Sequence, residues 1–401
     1  MAWGLAFVGG FVHAESVVLS TSLIRCFEPD ANTGSSTAVM VDDVPLAHTA
    51  QLLPLDPQGE LVGAADAAKQ TEQVLDNLGQ ALNAADARLA DAVKLNIYLA
   101  RTETMPQVQK TLARRFTGSI KPAVSFVVGN LAVPGALIAM DAVAPASAQP
   151  VIGPVKLFSP PGLYGKKGVS HAAVLPPGPK IYLSGMADTN GLAEATHKTL
   201  EKLVAAIGHL GLTKSDIVQL KAFLEPMSDL AAVQKEIVQF FGGAAPPLVF
   251  VEWISPRPNP PIEIELIAAA KSDSTKETEA VTFLTPAGTT STKVFSRVAR
   301  VNHGKLIFTS GLYGLKSPDA AGQVREIFHS LGDVLQKTGS DFDHLAKATY
   351  YVSDDEASNK LNDLRPEFYN PQRPPAASKA KVNAVGFPGK TVTMDMIAVT
   401  K

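Results

Sequence analysis

The chain has 401 residues and a mass of 42.2 kDa, long enough for two or three domains of ordinary size. Hydrophobic residues make up 46% and charged residues 18%, with 30 Gly and 29 Pro, which excludes a disordered tail, a collagen and a coiled coil. Lys and Arg number 36 against 38 Asp and Glu, a formal net charge of -2, so no positive surplus draws the chain to nucleic acid or to an anionic membrane.

Residues 1–14 form an apolar run ending in Val12-His13-Ala14, the small-x-Ala pattern that a signal peptidase accepts. The run is too short to span a bilayer. It predicts export, to the periplasm or outside the cell; the competing reading is a buried strand in a cytoplasmic protein, since no Lys or Arg precedes the run. The single cysteine, Cys26, excludes an internal disulfide and every zinc or redox motif built on paired thiols. No HExxH, GxxxxGK[ST], GxGxxG or GxSxG string occurs, so neither a metal nor a cofactor is expected.

The elements then come in three series. Each opens with a strand closing on a small-residue turn: HTAQ at His48, LSGM at Leu183, TSGL at Thr309. A helical stretch follows, from Thr71, Thr196 and Val324, with apolar residues recurring at three and four. Next comes an alternating strand, DAVKLNIYLA from Asp91, DIVQLKAFLE from Asp216 and HLAKATYYVS from His344, then a second short helix and two closing strands ending in MDAVA, IELIA and MDMIA. Leu75 and Leu200 lie 125 residues apart, as do Asp91 and Asp216. Such a period marks an internal repeat.

The linkers divide the chain accordingly. PASAQPVIGP from Pro145 is a proline-rich spacer, and KSDSTKETEA from Lys271 is too charged for a core. Three α+β domains are predicted, over 35–145, 155–270 and 281–401, each a mixed sheet with two helices on one face. The helix-free face of each sheet must be buried, and two tethered copies lie within reach. The chain is therefore expected to act as its own trimer and to remain a monomer.

LAHTAQLLPLDPQGELVG, QTEQVLDNL, DAVKLNIYL and PAVSFVVGNLAVPGALIAMDAVA in the first series resemble the blocks of the reactive intermediate deaminase (Rid, or YjgF-type) family, formerly called endoribonuclease L-PSP. GVSHA, YLSGM and IEIELIA in the second series, and VFSRVARV and FTSGLYG in the third, extend the resemblance over nearly all of the chain from about residue 35. It implies a chorismate-mutase-like fold, a three-unit ring and ligand clefts between neighbouring units.

Active members resembling this chain carry an Arg in a Pro-Ala-Arg-Ser block, where the guanidinium clamps a substrate carboxylate. Here Val124 and Leu248 stand at that position, and Ala377 or Ser378 in the third series. Arg373, Lys379 and Arg257 are cations that either reach a cleft from another backbone position or stay solvated. The resemblance further implies an acid near the end of the last strand that handles water; Asp141, Glu265 and Asp395 occupy it, with Val124 to Asp141 and Leu248 to Glu265 both 17 residues. The alternative is that each acid accepts hydrogen bonds and does no chemistry. Ser184, Gly185, Ser310 and Gly311 complete the expected binding positions, and His171 lies in a block near the cleft, either as a polar cleft residue or as a packed one.

Two functions follow as expectations. One is hydrolysis of imines or enamines with Asp141, Glu265 or Asp395 moving the proton; the other is a non-catalytic ligand-binding or scaffold protein of the same fold. With the guanidinium replaced by Val124 and Leu248 beside retained acids, the cleft is expected to repel carboxylates and to prefer neutral or cationic nitrogen ligands. A small molecule, not a nucleic acid or a membrane, is the expected partner.

Overall fold

A computed structural model describes residues 23–147, 155–255, 260–271 and 277–401. The signal segment over 1–14 and Arg257 lie outside the described residues. The first repeat runs β1 (Ile24–Asp30), β2 (Ser35–Val41), β3 (Leu46–Thr49), α1 (Ala67–Ala84), β4 (Lys94–Leu99), α2 (Met105–Arg115), β5 (Ala123–Val128) and β6 (Ile138–Pro145). The second repeats this order as β7 (Lys156–Phe158), β8 (Ala172–Leu175), β9 (Lys180–Asp188), α3 (Leu192–Gly208), β10 (Ile217–Leu224), α4 (Leu230–Phe240), β11 (Leu248–Glu252) and β12 (Ile262–Ala269). The third follows as β13 (Val281–Leu284), β14 (Val298–Val301), β15 (Leu306–Thr309), α5 (Ala320–Lys337), β16 (Leu345–Val352), α6 (Asp355–Leu364), β17 (Ala376–Lys381) and β18 (Val392–Val399).

Local chemistry sets the helices. Asp66 caps α1 by accepting from the Ala68 and Lys69 amides at 3.1 Å, replacing partners that a helix start otherwise lacks. Val74, Leu75, Leu78 and Leu82 then fall on one buried stripe. Burying each such side chain contributes on the order of 2 kcal/mol.

In each repeat the four strands that follow the first two pair in one pattern: β5-β4-β6-β3, β11-β10-β12-β9 and β17-β16-β18-β15. The first two strands of each repeat leave their own sheet, a departure from the single-repeat sheets expected above. They pair with each other, β1 with β2, β7 with β8 and β13 with β14, and the second strand of each pair joins a neighbouring repeat: β2 lies on β15 of the third, β8 on β3 of the first and β14 on β9 of the second. The links explain how a strand can part from its successor. Between β8 and β9 runs Pro176-Pro177-Gly178-Pro179, three residues without an amide donor and with a fixed φ, which does not fold into a two-residue hairpin turn.

Each exchanged strand also stitches a seam. The Ser36 amide donates to Pro122 O at 2.9 Å, the Ser170 amide to Ala245 O at 3.0 Å, and the Ser296 amide to Pro375 O at 3.0 Å. The three sheets are thus joined in a closed cycle by backbone hydrogen bonds. Three apolar cores lie between helices and sheets, one per repeat. The helix-free faces meet in shared clusters: Val93, Tyr182, Val218, Phe308 and Ala346 belong to one, and Tyr98, Phe223, Trp253 and Tyr351 to another. Among the described residues no helix is long and apolar enough to cross a membrane.

Candidate functional site

Strand pairing gives the equivalences between repeats. Asp141 lies opposite Asn96, Glu265 opposite Lys221 and Asp395 opposite Thr349. Side chains alternate between the faces of a strand, and these acids point away from the helices. They meet in a buried polar layer with Lys94, Lys221 and Lys347, around a cavity of about 40 Å³. The Lys94 ammonium donates to Ser125 Oγ at 2.6 Å and Thr309 O at 2.7 Å, and lies 3.2 Å from Asp395. The Lys347 ammonium lies 2.5 Å from Glu265. Asp141 accepts from Tyr98 Oη at 2.7 Å and Asn96 Nδ2 at 2.8 Å.

Burial raises the pKa of Asp141, partly offset by Lys221. Burial also opposes the charge of Asp395, but Lys94 and Lys221 outweigh it and hold that carboxyl below its ordinary value. Burial opposes the charge of Lys221 as well; Tyr351 and the three acids raise its pKa nonetheless. His48 lines the same cavity with both ring nitrogens unpartnered, and burial drops its pKa to about 3.

This layout corrects the expected place of Asp141, Glu265 and Asp395. They face the centre, whereas Val124 and Leu248 pack on the helix side, and the period of two in a strand sends the two sets to opposite faces. The premise for a carboxylate-repelling cleft goes with it.

The three junctions between repeats differ. Where the third meets the first, the Val124 amide donates to Ser310 Oγ at 2.7 Å, the Gly311 amide donates to Val124 O at 3.0 Å, and the Ser310 hydroxyl donates to Ser36 O at 2.6 Å. Tyr313 covers this junction, its hydroxyl 3.4 Å from Phe126 O and its ring against Phe387. Where the second meets the third, the Ala377 amide donates to Ser184 Oγ at 2.7 Å, the Gly185 amide donates to Ser378 Oγ at 3.1 Å, and the Ser184 hydroxyl donates to Ser296 O at 2.6 Å. These serines lock neighbouring repeats together.

Two groups at this second junction were not singled out from the sequence. Glu263 fills the space that the missing side chain of Gly185 leaves: a Cβ there would lie 2.0 Å from its Oε1. Burial, with Glu265 nearby, raises its pKa to about 7 against the pull of Lys347, Arg297 and Lys379. Arg297 donates from Nη1 to Gly185 O at 2.7 Å and keeps a buried Nε without a partner. Lys379, itself lowered to about 8 by burial and by Arg365, donates to Ser358 and Asn362. Arg373 is committed elsewhere, to Glu279 at 2.6 Å and to Val281 O. Glu263 was legible in principle, two residues before Glu265 on the same strand face.

The junction of the first and second repeats is open. The Gln51 amide donates to Leu248 O at 2.9 Å and its side chain to Phe250 O at 2.8 Å, but Ala50 stands where the other junctions have Ser184 and Ser310, so the serine lock is missing. A cleft of about 930 Å³ occupies this junction, with Leu52, Leu248 and Phe250 in its wall. His171 reaches it, its Nε2 3.2 Å from Tyr164 O and its Nδ1 buried without a partner; burial lowers its pKa, so the ring is neutral near pH 7. Lys166 and Lys167, also in the lining, come from the Gly-rich link between β7 and β8, which has no counterpart among the recurring blocks of the other repeats. Among the described residues no group of three or more His, Cys, Asp or Glu is placed to hold a metal.

With this geometry in place, comparison with known proteins defines the class. A model of the family described as Endoribonuclease L-PSP matches residues 28–146, 170–270 and 289–400. The chain therefore belongs to that family, the Rid or YjgF family, and carries its domain three times. It is similar to the curated protein DfrA of Myxococcus xanthus, 27% identical over 113 residues, which span 26% of this chain and 85% of that protein. A solved Rid-family protein of Yersinia pestis is 31% identical, covering 31% of this chain and 98% of its own, with a TM-score of 0.29. A YjgF-family protein of Neisseria meningitidis is 21% identical, covering 30% and 95%, with a TM-score of 0.24.

Proposed function

We propose that this Rid-family protein binds a small molecule in the cleft between its first and second repeats. The observation that carries the reading is the cleft itself: about 930 Å³, lined from two repeats and within the size range of small-molecule sites. Asp141 and Glu265 are spent in the central layer and the carboxylate of Glu252 in the cleft wall is engaged by Asn130 and Asn383, so binding rather than proton transfer is the primary role of this cleft. The balanced charge of the chain favours a small ligand over RNA. Native mass spectrometry of the purified chain and of Ala231→Trp, which places an indole in the cleft, tests the reading. A mass adduct or probe binding lost in the variant supports it; equal binding in both refutes it.

A second reading rests on Glu263. A carboxyl with a pKa of about 7 suits general acid catalysis near neutrality, and Arg297 and Lys379 surround it. Imine or enamine hydrolysis at the junction of the second and third repeats is the reaction this would serve, with Glu263 protonating the nitrogen leaving group. Turnover of a model imine that disappears in Glu263→Gln and persists in Asp141→Asn would support it; turnover unchanged by Glu263→Gln would exclude it.

A further inference from the structure

The open cleft between the first and second repeats carries more information than its size. Its walls are mostly aliphatic and aromatic, with Leu53, Leu131, Val133, Met227, Leu230 and Phe250 facing the space. Two of the wall amides, Gln51 and Asn77, are committed to the backbone. Gln51 Nε2 donates to Phe250 O at 2.8 Å, and Asn77 Nδ2 donates to Leu53 O and Leu55 O, both at 2.9 Å. They hold the wall in shape, and the polar groups left over are few beside the apolar ones: His171 Nδ1, Ser170, Ser228 and Gln234.

Three charged residues line the cleft: Lys166, Lys167 and Glu252. Both oxygens of the Glu252 carboxylate are occupied, by the Asn130 amide and Asn130 Nδ2 at 2.8 Å and by Asn383 Nδ2 at 3.2 Å. Lys166 and Lys167 are exposed at the cleft beside Tyr164, and among the described residues no carboxylate pairs with either of them. The lining thus carries two unpaired ammonium groups against one carboxylate whose oxygens are already engaged, an excess of positive charge for a ligand.

We propose that the ligand of this cleft is an amphipathic anion, a long apolar body with one carboxylate or sulfonate placed against Lys166 and Lys167. The inference rests on the cleft-binding reading above. A two- to four-carbon acid would leave most of the apolar wall wet, and a neutral amphiphile would leave the lysine pair unused. The acidic group is held at the exposed end, where salt screens the attraction.

Titration of dodecanoate, dodecanol and butyrate into the full chain, into Ala231→Trp and into Lys166→Gln/Lys167→Gln tests this by calorimetry at 20 and 300 mM salt. Dodecanoate is expected to bind about tenfold more tightly than dodecanol and at least a hundredfold more tightly than butyrate. The preference over dodecanol is expected to vanish in the lysine double variant and to shrink at high salt, and both long ligands are expected to lose binding in Ala231→Trp. If dodecanol equals dodecanoate in the parent and both are lost in Ala231→Trp, the charge assignment is overturned while cleft binding stands. If butyrate matches dodecanoate, the apolar-body assignment falls. If no probe binds, or binding survives Ala231→Trp, the cleft reading falls and this inference with it.

Discussion

The ammonium of Lys347 lies 2.5 Å from the carboxylate of Glu265, with both side chains about 5% exposed, across the boundary between the third and second repeats. Lys94 and Asp395 make the corresponding bridge from first to third. Charges thus sit where the three helix-free sheet faces meet. Removing one partner leaves the other buried and unpaired, which costs about 3–5 kcal/mol.

Lys347→Met is therefore expected to lower the denaturation midpoint substantially, and Lys347→Met combined with Glu265→Gln to recover most of the loss. Urea titration followed by circular dichroism measures both. A single variant as stable as the parent would mean that the pair contributes nothing at this seam.

His48 contributes to the loss of stability in acid. Its folded pKa of about 3 lies below the unfolded value of about 6.5, so between these values the unfolded chain binds a proton that the folded chain refuses. Stability then falls as pH drops from 6.5 toward 3. Phe308 occupies the equivalent position in the third repeat, opposite Ile397 as His48 is opposite Val143. His48→Phe is expected to flatten the stability profile in that window, measured as the melting temperature against pH.

Glu263 acts with the opposite sign. Its folded pKa of about 7 exceeds its ordinary value of 4.5, so the folded state holds the extra proton, and stability falls as pH rises from 4.5 to 7. Glu263→Gln is expected to remove this slope while leaving the acid limb due to His48 in place. A parent profile that rises steadily over 4.5 to 7 and is unchanged by the substitution would contradict the assignment.

Ring closure makes a prediction about mass. β2 covers the open edge of β15 and touches β5, and an uncovered strand edge recruits another chain. The full chain is expected to scatter light as a 42 kDa monomer. A chain beginning after Val41 is expected to associate. A truncated chain that remains folded and monomeric would show that these edges need no cover.

Much of the architecture was readable along the chain. The 125-residue spacing of Leu75 and Leu200, the recurring helix stripes and the strand alternation are local properties, set by periods of 3.6 and 2. Those same periods placed Asp141, Glu265 and Asp395 on a strand face, but not which face met the ligand. That required knowing that the helix-free faces pack against one another around the centre. Nor does local sequence say which sheet a strand will join: β8 leaves β9 for β3 because tethered neighbours offer an edge, a long-range choice. The place of Lys166 and Lys167 in the cleft lining, from the link between β7 and β8, and the meeting of Glu263 and Arg297, brought together from two repeats, likewise depend on tertiary contact. Periodicity along one chain determined the repeated elements; only the cyclic packing of three sheets decided which charges were buried, that serines locked two junctions, and that the third, at Ala50, was left open.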